Sequence, residues 1–108
     1  MLDIYFVPPS CSAMPKDPRG LAHAGSIDFE AHGSLALELD QCRKAGADLR
    51  YFDDSLLRPD QVMTMLRVFN TNADTLGADR GRIAAFKAMQ GILARAAEQG
   101  MGLAAFCD

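Results

Sequence analysis

The chain carries no G-x-x-x-x-G-K-[ST] phosphate loop, no G-x-S-x-G elbow, no H-E-x-x-H pair and no C-x-x-C spacing. Each absence removes a chemistry that needs those residues at those intervals: nucleotide cradling, serine hydrolysis, zinc proteolysis, dithiol exchange. Cation excess is also missing. Eleven Lys and Arg face 14 Asp and Glu, a net charge of -3, which leaves nothing spare to neutralise a phosphate backbone. No apolar run approaches the ~18 residues that cross a bilayer. The opening MLDIYFVPPS holds Asp3 within an apolar stretch too short for a signal peptide. Cysteine is scarce and odd in number (Cys11, Cys42, Cys107), which suits free thiols in a reducing compartment better than a disulfide framework. The expectation is a cytoplasmic protein with no nucleic-acid or membrane partner.

What is present describes one α/β domain over residues 1–108. Hydrophobic residues make up 49% and charged residues 23%, ordinary for a chain that folds around its own core. LDIYFV, residues 2–7, is rich in β-branched and aromatic types and ends at Pro8-Pro9, so it reads as a strand. The segment Pro8 to Gly25 holds four of the five prolines and reads as a long loop. SIDFEAH alternates with period two and reads as a short edge strand, with helix as its competitor. Ser34 looks like an N-cap for a helix with Leu35, Leu39 and Cys42 inward, stopped at Gly46. ADLRYF reads as a second core strand closing at Asp53-Asp54. Pro59 and Asp60 then open a helix with Val62, Leu66 and Phe69 inward. Asp79 caps a long helix ended by Gly100, and GLAAFC is the last strand. Strands separated by helical crossovers imply a small, mostly parallel sheet of three or four strands with three helices packed on it.

Several clusters invite chemistry. In a parallel sheet, Asp53, Asp54 and Asp108 would share the carboxyl edge, where open α/β sheets bind ligands and where carboxylates can hold Mg²⁺. A solvated strand end explains the same residues more simply. Asp28, Glu30 and His32 would share one strand face as a metal or acid/base trio, or form only its wet side. Lys16, Arg19 and His23 give the Pro-rich loop a small cationic patch. Cys11 lacks any neighbour in sequence that would activate it, and Cys42 and Cys107 sit on apolar faces. GMGLAA matches G-x-G-x-x-A but opens a strand rather than a helix, so it is no dinucleotide fingerprint. No metal or other cofactor is expected.

The stretch LRYFDDSLLRPDQVMTMLRVF, the long helix after it and the terminal GMGLAAFCD resemble small cytoplasmic bacterial immunity proteins of polymorphic-toxin systems. The likeness runs from Leu35 to Asp108 and leaves the Pro-rich loop without a counterpart. Arg58 departs from it, standing before Pro59 where Ser or Thr is more usual. The resemblance implies a non-catalytic, stoichiometric inhibitor that binds one cognate toxin domain; a monomer or homodimer is expected. Candidate partner-binding residues are Arg50, Tyr51, Asp53, Asp54, Arg58 and Asp60, with Met14, Lys16, Arg19 and His23 from the loop. The alternatives are a metal-dependent enzyme built on the Asp53, Asp54 and Asp108 carboxylates, or a self-associating scaffold subunit.

Overall fold

A computed structural model describes residues 1–107; Asp108 lies outside them. Among the described residues the strands are β1 (Leu2–Val7), β2 (His23–Ile27), β3 (Ser55–Leu57) and β4 (Gly102–Cys107). The helices are α1 (Phe29–Ser34), α2 (Ala36–Lys44), α3 (Pro59–Thr71) and α4 (Arg80–Glu98), with a 3₁₀ turn at Ala73–Thr75. The sheet order is β2-β1-β4-β3.

Every neighbouring pair in that sheet is antiparallel, so the expected parallel sheet is wrong. The reason lies in how many times the chain reverses between strands. A single helical crossover returns the chain to run parallel, whereas a helix pair brings it back the other way. Between β3 and β4 the chain makes two helices, α3 and α4, which pack on each other. Between β2 and β3 it runs out through α1 and α2 and back along the irregular segment 45–54. That segment includes ADLRYF, which is not a strand; pairing begins only at Ser55, opposite Ala105. SIDFEAH is not one strand either. Its first residues end β2, and Asp28 then caps α1, accepting the backbone N–H of Ala31 at 2.7 Å. The sheet therefore carries four helices where three were expected.

The strand alternation sets two faces. Leu2 and Ile4 of β1, Ile27 of β2, Leu57 of β3, and Leu103 and Ala105 of β4 are buried together with Phe69, Phe86, Met89 and Leu93 of the helices. Each such large side chain contributes about 1.5–3 kcal/mol on burial. Gly25 of β2 lies so close beneath α4 that an added Cβ would stand 2.7 Å from Ile92 Cδ1. On the opposite face the register aligns Asp3 with Ser26 and Phe106, and Tyr5 with His23 and Ala104.

One charge is fully inside. Glu38 shares the inward stripe of α2 with Leu39 and Cys42 and has no exposure. Its two oxygens meet Arg82 of α4 in a bidentate pair, Nη1–Oε1 at 3.0 Å and Nη2–Oε2 at 2.5 Å. The carboxylate beside it holds the Arg82 guanidinium above its ordinary pKa. This pair pins the first turn of α4 to α2, and Arg82 also donates to the Ser34 carbonyl, tying in the end of α1.

Candidate functional site

β1 starts, β2 ends, β3 starts and β4 ends at one edge of the sheet, because Leu2 pairs with both Ile27 and Cys107 while Ser55 pairs with Ala105. Two pieces of chain cross that edge: α1, just after β2, and the segment leading into β3. Together they assemble a cluster of rings. Phe29 stacks edge-on against Tyr51 at 5.4 Å between ring centroids and lies 5.8 Å from Phe52. Tyr51 meets Phe52 at 5.1 Å and His32 at 5.5 Å, both T-shaped. Although packed on each other, the rings are not buried: Phe29 is 62% and Phe52 74% exposed. The chain has six Phe, two Tyr and no Trp, and this cluster takes three of those eight, two exposed Phe around a half-buried Tyr51.

The cluster is held in place by polar ties to the scaffold. His32 Nε2 lies 3.0 Å from the Leu49 carbonyl, which can only accept, so this nitrogen carries the proton. The Arg50 N–H donates to Ser55 Oγ at 3.4 Å, closing the turn that carries the rings. Asp54 accepts the backbone N–H of Cys107 at 3.0 Å, and the Cys107 thiol points to the Phe52 carbonyl at 3.4 Å. The Asp54 carboxylate acting on the thiol itself, with desolvation behind it, raises Cys107 above its ordinary pKa. Burial and the Glu38 carboxylate push the Cys42 thiol up to about 12. Neither thiol is poised as a nucleophile.

Asp53 and Asp54 part company here. Asp54 is spent on the sheet edge. Asp53 is solvated and, among the described residues, has Arg50 as its ion-pair partner at 3.7 Å, whereas Arg50 bonds Asp48 at 2.7 Å. The Asp48 contact, more than Asp53, holds the Arg50 guanidinium above its ordinary pKa. These residues, with Ser55 and Leu56, line a polar cleft of about 320 Å³.

The sequence-expected binding residues therefore divide. Arg50, Tyr51, Asp53 and Asp54 share the aromatic edge. Arg58 and Asp60 lie at the start of α3, at the other end of the sheet, where Arg58 donates to both Asp60 oxygens at 3.1 and 3.4 Å and holds that carboxyl below its ordinary pKa. The Gln61 side chain accepts the Arg58 N–H at 2.8 Å, which supplies the capping the sequence lacked. Met14, Lys16 and Arg19 sit in the connection from Val7 to β2, also at that far end, with Lys16 and Arg19 exposed. His23 is not in the loop but opens β2. The cationic patch consequently does not adjoin the aromatic cluster.

Two proposed chemistries lose their geometry. Asp28 and His32 work separately, one capping α1 and the other holding Leu49, so the strand-face trio does not form. Asp53 and Asp54 turn to different partners, Asp108 is outside the described residues, and no group of three His, Cys, Asp or Glu side chains among those described could hold a metal ion. Sequence reasoning missed a third arrangement, on the open face of the sheet. Ser26 Oγ donates to Asp3 Oδ1 at 2.6 Å and lies 3.1 Å from His23 Nε2. With its hydrogen committed to Asp3, the hydroxyl accepts from a protonated Nε2. A nucleophilic serine needs the reverse, an imidazole that takes its proton.

Comparison with known proteins adds no relative: the chain matches no family model, no curated protein and no solved structure. Among the described residues, no helix is long and apolar enough to cross a membrane. Function therefore rests on the site itself. Phe29 and Phe52 were not expected there, and the signal for them was weak. Tyr51 packs partly against the core, and Phe52, the next residue, turns outward without the ladder of a strand to support it.

Proposed function

We propose that this protein is a non-catalytic binding module that docks a protein partner on the Phe29, Tyr51 and Phe52 cluster. The observation that carries this reading is the exposure of Phe29 and Phe52 on a fixed support. Aromatic side chains left in water forgo the stabilisation of burial, and contiguous exposed apolar patches with a polar rim are characteristic of interaction sites. Rigid rings ordered before binding also cost little further entropy when a partner arrives. Asp53 and Arg50 supply the polar rim around the anchor rings, the arrangement found at binding hot spots.

The partner class follows from the resemblance of residues 35–108 to immunity proteins. In this reading the chain is a bacterial, cytoplasmic inhibitor that covers a cognate toxin domain one to one, without turnover. The test is co-expression with the open reading frame adjacent in its own genome. Growth arrest by the neighbour alone, with recovery and one-to-one copurification in the pair, is the expected result. A harmless neighbour that does not copurify removes the immunity reading. A mass that rises with protein concentration, and falls in Phe52→Ala, would assign the cluster to self-association instead.

A further inference from the structure

The chemistry of the partner can be read from what stands beside the rings. Asp28 and Glu30 flank Phe29 in sequence, and Asp53 and Asp54 follow Phe52, while the cations nearby are already engaged, Arg82 by Glu38, Arg43 by Asp40 and Arg50 by Asp48. Arg50 is already bonded to Asp48 at 2.7 Å and stands 3.7 Å from Asp53, too far for a hydrogen bond. Asp53 thus keeps hydrogen-bonding capacity: its contact to Arg50 is a loose ion pair, its side chain is 65% exposed, and it follows in sequence a ring that is itself 74% exposed. An aromatic face attracts a cation through its quadrupole, and a carboxylate attracts it through charge. Arginine satisfies both at once, because its planar guanidinium stacks on a ring while its N–H groups, lying in the plane, reach sideways to an oxygen. A lysine ammonium has no plane to stack and is more strongly hydrated.

Resting on the docking reading above, we infer that the surface receives an arginine side chain of a basic protein partner, laid on Phe52 and hydrogen-bonded to Asp53. The acidic surround draws such a partner in and repels acidic ones.

The probe is a capped Gly-Arg-Gly-Arg-Gly peptide, titrated at low salt into the isotope-labelled full chain and followed by NMR. Matched peptides carry lysine or uncharged citrulline in place of arginine. The expected result is that signals of Tyr51, Phe52 and Asp53 shift with the arginine peptide, less with lysine and not with citrulline. Phe52→Ala and Asp53→Asn should each weaken binding roughly two- to five-fold, the range for an exposed cation–π contact or ion pair. Equal shifts with citrulline overturn the inference. So does an affinity for the arginine peptide that is unchanged in Phe52→Ala, or the absence of shifts at millimolar peptide. The docking reading fails separately, when Phe52→Ala still captures the co-expressed partner as well as the natural chain does.

Discussion

Asp54 reaches across 53 residues of sequence to accept the backbone N–H of Cys107 at 3.0 Å, while its neighbour Asp53 makes, among the described residues, a loose ion pair with Arg50 at 3.7 Å and no hydrogen bond. Adjacent and chemically identical, the two carboxylates have different tasks. Asp54→Ala leaves the end of β4 without its acceptor and should cost about 1 kcal/mol. Asp54→Asn keeps an acceptor oxygen and should cost less, and Asp53→Ala should lie within about 0.5 kcal/mol of the natural chain. Urea denaturation of the three variants checks this ordering; equal losses at 53 and 54 would contradict it.

The Glu38–Arg82 pair is the strongest electrostatic commitment in the core. Arg82→Ala strands an uncompensated charge at a site with no exposure and should destabilise the fold by roughly 3–5 kcal/mol. The double variant Glu38→Leu/Arg82→Leu removes charge from both sides and should recover much of that loss. A double variant no more stable than Arg82→Ala would show that packing, not the stranded charge, sets the cost.

Cys42 gives the stability a defined alkaline limit. Its ordinary pKa is 9.0, and in the folded chain it is pushed up to about 12. Between those values the unfolded chain has lost the thiol proton and the folded chain has kept it. Stability is therefore fully present below pH 9 and falls as pH rises, by up to about 1.4 kcal/mol per pH unit. Comparing urea midpoints of the natural chain and Cys42→Ala from pH ~8 to ~10.5 isolates the effect, with the natural chain losing more stability. Parallel declines would contradict it.

Two glycines should answer oppositely to alanine. At Gly102 a Cβ would stand 2.5 Å from the Leu57 carbonyl oxygen and 3.2 Å from Val7 Cγ2, so Gly102→Ala must push β3 from β4 and should cost about 1–3 kcal/mol. Gly91 lies inside α4 with nothing within 4 Å of such an atom, so Gly91→Ala should stabilise by about 0.5–1 kcal/mol. Thermal melts of the two variants decide it.

Local signals in the sequence located much of the fold, and non-local ones did not. β1 was legible because a β-branched and aromatic run is cut off by Pro8, and β4 because a short apolar run follows the helix stop at Gly100. Pro59, Asp79 and Gly100 marked the limits of α3 and α4, since proline geometry, N-capping and the left-handed turn at Gly100 (φ 67°) are properties of single residues. Strand pairing is not such a property. ADLRYF has the composition of a strand but no partner edge, while the three residues Ser55–Leu57 find one in β4. Asp28 was the overlooked clue to α1: an aspartate followed by Glu30 in the first turn is a helix start, and period-two alternation of Ile27, Phe29 and Ala31 masked it. The parallel sheet was expected because every helical connection was counted as one crossover, although two helices, both legible in the sequence, separate β3 from β4 and return the chain antiparallel. Glu38 was also visible, because positions 35, 38, 39 and 42 lie on one helical face, and its burial called for a cationic partner.

The direct test of the binding reading is Phe29→Ala/Phe52→Ala, followed by thermal melting and by capture of the co-expressed neighbour. Both rings are exposed, so the melting temperature should hold within a few degrees. Copurification and growth protection should both be lost. A double variant that melts normally and still protects would contradict a docking role for the aromatic cluster.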